Sequence, residues 1–428
     1  MGRTIRIGVL SLSVAVLLYV SLGYVFGQTG DDQSYRSLAV YSEVLDRIQQ
    51  DYVDAPDTHV VTVGALHGLL EALDPESSYL TPQEYADLKK ETESKAPAGV
   101  GAAFSKRGFI FVVSVLPDSP ALKSGLHEGD VLESIGGYTT QDMSVQQAQG
   151  FLRGEPGTTV KVSVIRSGSP KPQDVELTRA VVPEPALLTT REEAGIAYLR
   201  VPEFDRGSAA AIRSQLAQFQ RRGDRKLILD LRGCASGETS EAIQTAQWFL
   251  NSGTITTLRG QTIAEKSFAA DPSKVAWRDP VTVLISGSTA GPAEILAAAI
   301  ADNGRGDTVG QTTLGLSSEQ KLIPLEDGSA LFVTAGIYYT PANKPILNAG
   351  VAPQVQVPPP NSQLSLLDDQ DVAPDPLPGQ LPAPTDPVVK KAIEVLETKP
   401  AASATARRSS PLESPAQQSP QWMPTTGG

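Results

Sequence analysis

Apolar residues near the amino terminus recur at steps of three and four, which is the spacing of a helix with one apolar face. In residues 37–52 the positions on that face are Leu38, Tyr41, Leu45, Ile48 and Tyr52. A second set precedes Asp74-Pro75, a pair typical of a helix end. Its members are Val63, Leu66, Leu69, Leu70 and Leu73. We therefore predict a small helical domain over residues 31–95.

Beyond Pro97 the pattern changes to short strand-like runs separated by turn residues such as Pro117-Asp118 and Gly136-Gly137. The runs are Phe109 to Val115, Asp130 to Ile135 and Val160 to Ile165. A helix is predicted over Val145 to Leu152. Residues 96–181 are therefore expected to form a domain of strands with one helix.

Between residues 182 and 357, buried strands alternate with helices. The predicted strands are Ile196 to Val201, Leu227 to Leu231 and Val281 to Ile285. The helices that follow them carry Ile212, Leu216 and Phe219, then Ala242, Trp248 and Phe249, then Ala293 to Ala301. This alternation favours an α/β layer with a largely parallel sheet.

Residues 358–428 hold 14 of the 33 prolines, among Ser, Gln and Ala. Such a composition buries too little apolar surface to fold, so we predict a mostly disordered tail. One helix is expected inside it, near residues 386–398, where Asp386-Pro387 precedes an apolar face formed by Val389, Ile393 and Leu396.

The first 30 residues indicate export. Arg3 and Arg6 precede an uncharged run, residues 7–30, whose 24 residues are enough to cross a bilayer. We interpret the run as an uncleaved anchor with the rest of the chain outside, in the periplasm or at the cell surface. The alternative is a signal peptide cut after small residues such as Val25 and Gly27, which would leave a secreted protein.

Composition excludes several kinds of site. The formal net charge of −12 offers no basic surface for nucleic acid. One cysteine, Cys234, cannot form an intrachain disulfide, and His59, His67 and His127 make no cluster of metal-site spacing. We expect neither a metal nor a cofactor.

Three stretches, in this order, resemble the carboxyl-terminal processing, or tail-specific, serine protease family. Leu73-Asp-Pro-Glu-Ser-Ser-Tyr-Leu80 is similar to its motif L-D-P-x-S-x-Y-L. Residues 96–181 resemble a PDZ domain through Gly99-Val100-Gly101-Ala102, Ser119-Pro120-Ala121, Gly125-Leu126 and Gly129-Asp130-Val131. Residues 182–357 resemble the protease core and end in Tyr338-Tyr339-Thr340-Pro341. The resemblance implies an α/β core with an inserted α+β PDZ domain.

A PDZ domain implies binding of protein carboxyl termini or extended peptides. Backbone amides of a glycine-rich loop bind the terminal carboxylate, and the neighbouring strand edge pairs with the peptide. The residues expected to do so here are Gly99, Val100, Gly101 and Ala102, with Phe151 of the helix contacting the last side chain.

The catalytic motifs of the family are altered. Its nucleophile motif S-A-S-A-S-E reads Thr289-Ala-Gly-Pro-Ala-Glu294, and its base motif T-F-G-K-G reads Thr313-Leu-Gly-Leu-Ser317. The resemblance thus implies Gly291 at the nucleophile position and Leu316 at the position of the lysine base. Pro292, which follows the nucleophile position, has no N–H to offer an oxyanion. Gln320 matches the accessory glutamine.

We therefore predict a non-catalytic member of the family that presents protein carboxyl termini or associates with an active relative. The rival hypothesis is an active serine endopeptidase with a relocated site built from Ser288 or Thr289 and Lys321. Cys234, in a loop that resembles the family's oxyanion loop, is expected to pack in the core. Glu294 and Asp302 are expected to be structural, capping their helix or pairing with Arg305.

Overall fold

The computed structural model describes residues 2, 32–93, 98–166, 169–192, 195–358, 378–383 and 385–398. Within these residues no helix is both long enough and apolar enough to cross a membrane. The run 7–30 lies outside them, as do residues 359–377 and 399–428 of the predicted disordered tail. The described residues up to Leu69 form one compact unit, and the described residues from Leu70 onwards form another.

Two helices, α1 (Asp32–Asp51) and α2 (Thr58–Glu71), occupy the stretches where the apolar spacing predicts them. The Asp57 side chain caps α2, because its Oδ1 accepts from the amides of His59 at 2.9 Å and Val60 at 3.3 Å. A carboxylate at this position also interacts favourably with the positive end of the helix dipole.

The segment 31–95, predicted as a small helical domain, also contains a strand, β1 (Ser78–Leu80), which precedes helix α3 (Pro82–Glu93). An Asx turn opens this segment, with the Ser77 amide 2.7 Å from Asp74 Oδ1. The strand then pairs with a strand more than 250 residues further along the chain. Three residues are too few to show a periodic pattern, so the sequence does not predict this strand. It forms because it pairs with a distant strand in the tertiary structure.

The predicted PDZ domain is an antiparallel sheet with two helices. Strand order is β3-β4-β5-β7-β8, with β6 on β5. The strands are β3 (Ala102–Arg107), β4 (Phe109–Val115), β5 (Val131–Ile135), β6 (Tyr138–Thr139), β7 (Thr159–Arg166) and β8 (Ser169–Thr178). A separate pair, β2 (Ala98–Gly99) with β9 (Ala180–Val181), brings the two ends of the domain together, as in an inserted domain.

Side-chain caps stabilise the first turns of the two helices of this domain, α4 (Pro120–Lys123) and α5 (Val145–Leu152). Ser119 Oγ accepts from the Leu122 amide at 3.1 Å. Ser144 and Gln147 form a capping box on α5, each side chain accepting from the other residue's amide. A 3₁₀ turn covers Thr140–Asp142.

The core is a six-stranded sheet in the order β10-β11-β12-β15-β16-β19, parallel except for β10. The strands are β10 (Leu188–Glu192), β11 (Ile196–Arg200), β12 (Lys226–Asp230), β15 (Val281–Ile285), β16 (Asp307–Gly310) and β19 (Val355–Gln356). Helices α6 (Ser208–Arg222), α7 (Thr239–Gln247) and α8 (Pro292–Asp302) supply the core of one face. The largely parallel α/β sheet predicted from the sequence is present.

A second, antiparallel sheet follows the order β1-β18-β13-β14, with β17 also paired to β18. Its remaining strands are β13 (Thr254–Arg259), β14 (Lys266–Ala269), β17 (Ser318–Pro324) and β18 (Ala330–Tyr339). A 3₁₀ turn covers Pro272–Lys274.

Helix α9 (Pro387–Glu397) lies within the range 386–398 predicted for a helix, and it packs on the other face of the parallel sheet. Successive strand residues point to opposite faces, so Ala197 and Leu199 of β11 join the α6–α8 side while Ile196 and Tyr198 join α9. Parallel sheets need cover on both faces, and α9 provides it here.

Asp386 connects α9 to the sheet. Its Oδ1 accepts from the Val388 amide at 2.8 Å, and its Oδ2 lies 2.8 Å from Arg232 Nη1. Arg232 in turn binds the fully buried Asp230, which also accepts from the Tyr198 hydroxyl at 2.6 Å. Burial alone would raise the pKa of Asp230, but the Arg232 guanidinium lowers it below its usual range.

We expect Asp386→Ala to lower the free energy of unfolding by about 3–5 kcal/mol, because it removes both a helix cap and one partner of a buried ion pair. The control is Lys391→Ala, which breaks the exposed Lys391–Glu394 pair of the same helix and costs less than about 1 kcal/mol. Urea unfolding of the full chain measures both. Equal effects of the two substitutions would contradict this role of Asp386.

Candidate functional site

Three loops meet where neighbouring parallel strands end. Strands β12, β15 and β16 lie side by side, so the loops 231–237, 286–291 and 311–317 leave the same edge of the sheet. The Ala290 amide donates to the Cys234 carbonyl at 2.9 Å, and the Leu314 amide donates to the Thr289 carbonyl at 3.0 Å. In open α/β sheets this edge is where ligands and reactive groups are found.

Gly291 lies at a sharp turn between β15 and α8, with φ 56° and ψ −123°. This left-handed conformation favours glycine. A Cβ built on Gly291 would meet only the Ala235 carbonyl oxygen, at 3.9 Å, so there is space for a side chain. A sharp strand-to-helix turn of this kind holds the nucleophile in hydrolases with a nucleophile elbow.

Glu294, in the first turn of α8, holds the loop 313–317 in place. Its side chain is fully buried and accepts six hydrogen bonds. The donors are Gly291 N at 3.0 Å, Thr313 Oγ1 at 2.5 Å, Gly315 N at 2.5 Å, Leu316 N at 2.8 Å, Ser317 N at 3.1 Å and Ser317 Oγ at 2.9 Å. Burial raises the pKa of this carboxyl, and the hydrogen bonds oppose that shift.

Glu294 therefore caps its helix, as expected, but neither it nor Asp302 pairs with Arg305. The Arg305 guanidinium donates instead to the carbonyls of Phe249 at 2.9 Å and Asp279 at 2.7 Å. Asp302 accepts from the Ala342 amide at 3.0 Å. The predicted pairing was wrong because carbonyls at the ends of neighbouring segments, which sequence spacing does not reveal, satisfy the guanidinium.

Leu316 is half-buried, and only its backbone is used by Glu294. Gln320, on β17, donates to Thr334 Oγ1 at 2.8 Å and to Ser318 Oγ at 3.1 Å. Pro292 begins α8 directly after Gly291. The positions identified in the sequence thus lie in these loops. Residue 291, however, has no hydroxyl and residue 316 has no amine.

The loop 231–237 is fixed from both ends. A Cβ at Gly237, where φ is 115°, would lie 2.4 Å from the Phe204 backbone, so only glycine fits. Ser236 Oγ donates to Glu203 Oε2 at 2.9 Å, and burial raises the pKa of Glu203 to about 7, with the neighbouring Asp205 adding to the shift. Cys234 is fully buried in the core cluster, and burial raises the pKa of its thiol well above the usual range.

Among the described residues, no hydrogen bond joins Lys321 to Ser288 or Thr289. Ser288 is buried with its hydroxyl 2.8 Å from that of Ser286, and the Thr289 hydroxyl donates to the Leu231 carbonyl at 2.9 Å. Lys321 is exposed on β17 opposite Val333. Its amine makes no hydrogen bond or ion pair with any residue that the structure describes.

In the glycine-rich loop of the predicted PDZ domain, the carbonyl of Val100 accepts from Ala121 at 2.8 Å, and that of Gly101 accepts from Leu116 at 2.9 Å. In a trans peptide the following N–H points the opposite way, so the amides of Gly101 and Ala102 face away from these partners. Gly101 has φ 72°, and a Cβ there would lie 2.5 Å from Ser119 Cβ. Gly99 lies in β2, opposite Ala180.

Phe151 is exposed, and its ring packs on Tyr138 with centroids 5.4 Å apart. It lines a cavity of about 840 Å³ together with Leu80, Leu88 and Ala98. The buried residues of α5 are instead Val145, Ala148 and Leu152. Phe151 therefore lies on a different face of α5 from the residues that pack into the domain core with Val100.

Known proteins match this arrangement. Residues 195–357 match the model of Peptidase family S41, and residues 88–165 match that of the PDZ domain. The chain is 30% identical over 333 residues to a carboxy-terminal-processing protease of Bartonella bacilliformis, which covers 76% of each protein. It belongs to the carboxy-terminal-processing protease family.

Two further matches agree with this family. A carboxyl-terminal-processing protease of Picosynechococcus sp. is 32% identical over 323 residues, covering 73% of this chain and 77% of the relative. The solved photosystem II D1 C-terminal processing protease is similar at 25% identity with a TM-score of 0.63, over 74% of this chain and 92% of that one. Both domains of this carboxy-terminal-processing protease family member, PDZ and S41, fit the binding of peptides.

Sequence reasoning missed two functional contacts in this family member. From the sequence, Glu294 is expected to be a helix cap. The structure shows that its carboxylate also accepts hydrogen bonds from the loop 313–317. A carboxylate in the first turn of an apolar helix indicates a cap. No local feature of the sequence indicates that the same carboxylate accepts from five further donors in the loop 313–317. The Arg232–Asp386 pair joins residues 154 positions apart, so only the tertiary structure reveals it.

We expect Glu294→Ala to lower the free energy of unfolding by about 3–5 kcal/mol, since several buried donors of loop 313–317 lose their acceptor. Amide exchange of Gly315, Leu316 and Ser317 should accelerate. Asp302→Ala, on the same helix but exposed, is the control and should cost about 1 kcal/mol. If loop exchange in Glu294→Ala matched the control, the loop would not depend on this carboxylate.

Proposed function

We propose that this protein is a non-catalytic member of its family that binds protein carboxyl termini through its PDZ domain. We further propose that it works outside the cytoplasm, in the periplasm or at the cell surface, held in the inner membrane by residues 7–30. A cleaved segment and a secreted protein are the alternative fate of that run. The partners we propose are extended peptides, with an active relative of the same family as a second partner.

The observation that carries the proposal is the combination of an ordered frame with missing reactive groups. Gly291 lies in a strand-turn-helix of the type that holds a nucleophile, yet it has no hydroxyl. Leu316 lies in the loop that Glu294 holds beside that turn, yet it has no amine. Nucleophile and base act as a unit, and losing even one member typically costs ~10⁴–10⁶ in turnover.

Pro292 adds an independent argument. The amide after the nucleophile is a common oxyanion donor, and proline has none. Loss of one such donor costs about 10²–10³ in rate. A relocated site would therefore need a new nucleophile, a new base and a new oxyanion hole together.

The rival proposal, an active serine endopeptidase that processes protein carboxyl termini with Ser288 or Thr289 and Lys321, has less support. Ser288 and Thr289 are buried, and their hydroxyls form hydrogen bonds within or next to the turn before α8. Lys321, in contrast, is exposed on β17. A Ser–Lys pair works when the amine is desolvated and within hydrogen-bond reach of the hydroxyl. The exposure of Lys321 and the other hydrogen-bond partners of the two hydroxyls support the non-catalytic proposal over this rival.

Peptide binding is supported by the direction of the Gly101 and Ala102 amides and by β3, an edge strand of the domain's sheet. An extended peptide can pair with such an edge while the amides donate hydrogen bonds to its carboxylate. The loop carries no charged side chain, which favours a free, apolar carboxyl terminus.

We expect the full-length protein not to cleave an unfolded substrate with an apolar tail. Gly291→Ser alone and Leu316→Lys alone should also be inactive, because each restores one reactive group without the other. The triple variant Gly291→Ser, Pro292→Ala, Leu316→Lys is the change expected to gain activity, since a Cβ fits at position 291. Release of peptide fragments, followed by mass spectrometry, measures each variant.

Lys321→Ala is the control for the rival site. Cleavage by the wild-type chain that disappears in Lys321→Ala would establish a relocated base and overturn the non-catalytic assignment. Cleavage that persists in both the wild-type chain and Lys321→Ala would point to a contaminating protease. Expression in a host that lacks the gene for that protease would remove the contamination.

We expect peptides with a free apolar carboxyl terminus to bind the full chain at least about tenfold more tightly than their amidated forms, because amidation removes the charged carboxylate to which the loop amides donate. Gly101→Ala should weaken binding of the free form, since its Cβ would meet Ser119 at 2.5 Å. Gly108→Ala is the matched control: φ is 76° there, but the space around it is open. Equal affinities of free and amidated peptides by calorimetry would contradict the assignment.

A further inference from the structure

The strand expected to pair with a peptide is open over only part of its length. β3 lies at the edge of its sheet, next to β4. Ala102 and Ala103, at the start of the strand, are half-buried. The next three residues are only 4–5% exposed, and they are Phe104, Ser105 and Lys106. Phe104 belongs to the domain core, but Ser105 points to the opposite face, so its burial needs a cover from outside the sheet.

Lys106 spans the groove between β3 and helix α5, which lies against that strand. Its side chain is 3% exposed. Its amine donates to the carbonyls of Gln141 at 2.8 Å and Met143 at 2.9 Å, just before α5 begins. The same amine lies 2.5 Å from Glu71 Oε1. A residue of one wall is thus tied to the other wall, and a carboxylate neutralises its charge there.

Residues 76–78 form a second bridge across the same end of the groove. At β3, Ser105 Oγ donates to Glu76 Oε1 at 3.5 Å. At α5, Ser78 Oγ lies 2.7 Å from the hydroxyl of Ser144, the residue that caps the helix. Burial raises the pKa of Glu76 to about 7, which agrees with a carboxyl enclosed between these elements. The segment therefore reaches from one wall of the groove to the other.

This second bridge is held in place from behind by the antiparallel sheet of the core. Ser77 Oγ accepts from the Thr334 amide at 3.2 Å, and from Ser78 onwards the chain pairs with β18 as strand β1. Ser77 and Ser78 are each 1% exposed. Segments that open easily have few buried contacts and exposed hydrogen bonds, and these two serines have the opposite features. The bridge is therefore a fixed wall rather than a lid.

A peptide bound in the PDZ manner adds to β3 as an antiparallel strand, with its carboxylate at the amides of Gly101 and Ala102. Its last residue then lies opposite Ala102, and each earlier residue lies one position further along β3. The third residue from the end lies opposite Phe104. The fourth would lie opposite Ser105, where Glu76 already occupies the groove. The length left open is that of about three extended residues, roughly 10 Å.

We propose that the two bridges, formed by Lys106 with Glu71 and by residues 76–78, limit the peptide site to about the last three residues of a chain. We name them together the groove stop. The ligand that fits is a free carboxyl terminus that enters as a short extended end, while the residues before it turn away from β3. This limit rests on the proposed peptide binding and defines which part of a ligand is read. A groove open along the whole strand would instead gain affinity from each further residue that pairs.

A series of peptide lengths on the full-length protein tests this limit. The probes are acetylated peptides of two to six residues, all carboxyl-terminal pieces of Thr-Ser-Thr-Leu-Ala-Val. Acetylation keeps the amino end uncharged throughout the series. Calorimetry should show an affinity that rises at least about tenfold from two residues to three and then changes less than about threefold up to six.

Removing the groove stop should make length matter again. In Glu76→Ala with Lys106→Ala, the six-residue peptide should bind at least about fivefold more tightly than the three-residue one, because further residues can pair with β3. The matched control is Glu155→Ala with Lys161→Ala, which removes the same two charges at exposed positions of the same domain. That control should reproduce the wild-type series. If the first variant does not fold, the wild-type series decides the matter by itself.

Amide exchange distinguishes a wall from a movable lid. Binding of the six-residue peptide to the wild type should slow exchange in residues 101–104 and leave that of residues 76–78 unchanged. Faster exchange of residues 76–78 on binding would show that the peptide displaces the segment, and the limit would be overturned.

The series also separates this limit from the peptide binding on which it rests. If none of the free-ended peptides binds, the peptide binding and the limit are both wrong. If they bind, and the six-residue peptide exceeds the three-residue one by more than about threefold in the wild type, peptide binding stands and only the limit is overturned.

Discussion

The site depends above all on one buried carboxylate. A carboxylate taken out of water costs several kcal/mol unless hydrogen bonds replace its hydration, and Glu294 obtains six of them. Most come from the loop 313–317, which is thereby fixed beside the start of α8. The positive end of the helix dipole favours the same charge. Because these contacts involve backbone amides, they do not require reactive side chains at positions 291 and 316.

A second constraint is the parallel sheet, whose two faces are both apolar. Helices α6, α7 and α8 come directly after their strands and cover one face. The other face is covered by α9, which lies after residues 359–377 and is held at its start by Asp386. Arg232, its partner, belongs to the loop that also contributes to the candidate site. The chain segment that closes the sheet therefore also steadies one of the three loops.

The periodicity of apolar residues predicts the helices and strands well, because three to five apolar residues at the right spacing are enough to define the buried face of an element. The strands of the parallel sheet, α5 and α9 follow from it. Contacts between distant residues do not: β1 exists because Ser78–Leu80 pairs with Ala330–Phe332, and Arg305 binds carbonyls rather than the predicted carboxylates. The candidate site was reached from motifs, and its loops meet because three parallel strands end together. The contacts of Glu294 with the loop 313–317 join residues 19 to 23 positions apart, so the local sequence does not predict them.

The residues at the turn fit the proposed loss of catalysis in energetic terms. Serine at φ 56° is strained by about 1–3 kcal/mol, a cost that an active site bears for reactivity and that Gly291 avoids. Proline at the first position of a helix stabilises it, since its missing N–H has no partner there and its φ is already helical. Gly291 and Pro292 together favour a stable start of α8 over an oxyanion hole. With Glu294 in place, the frame persists without a serine at position 291 that would strain it.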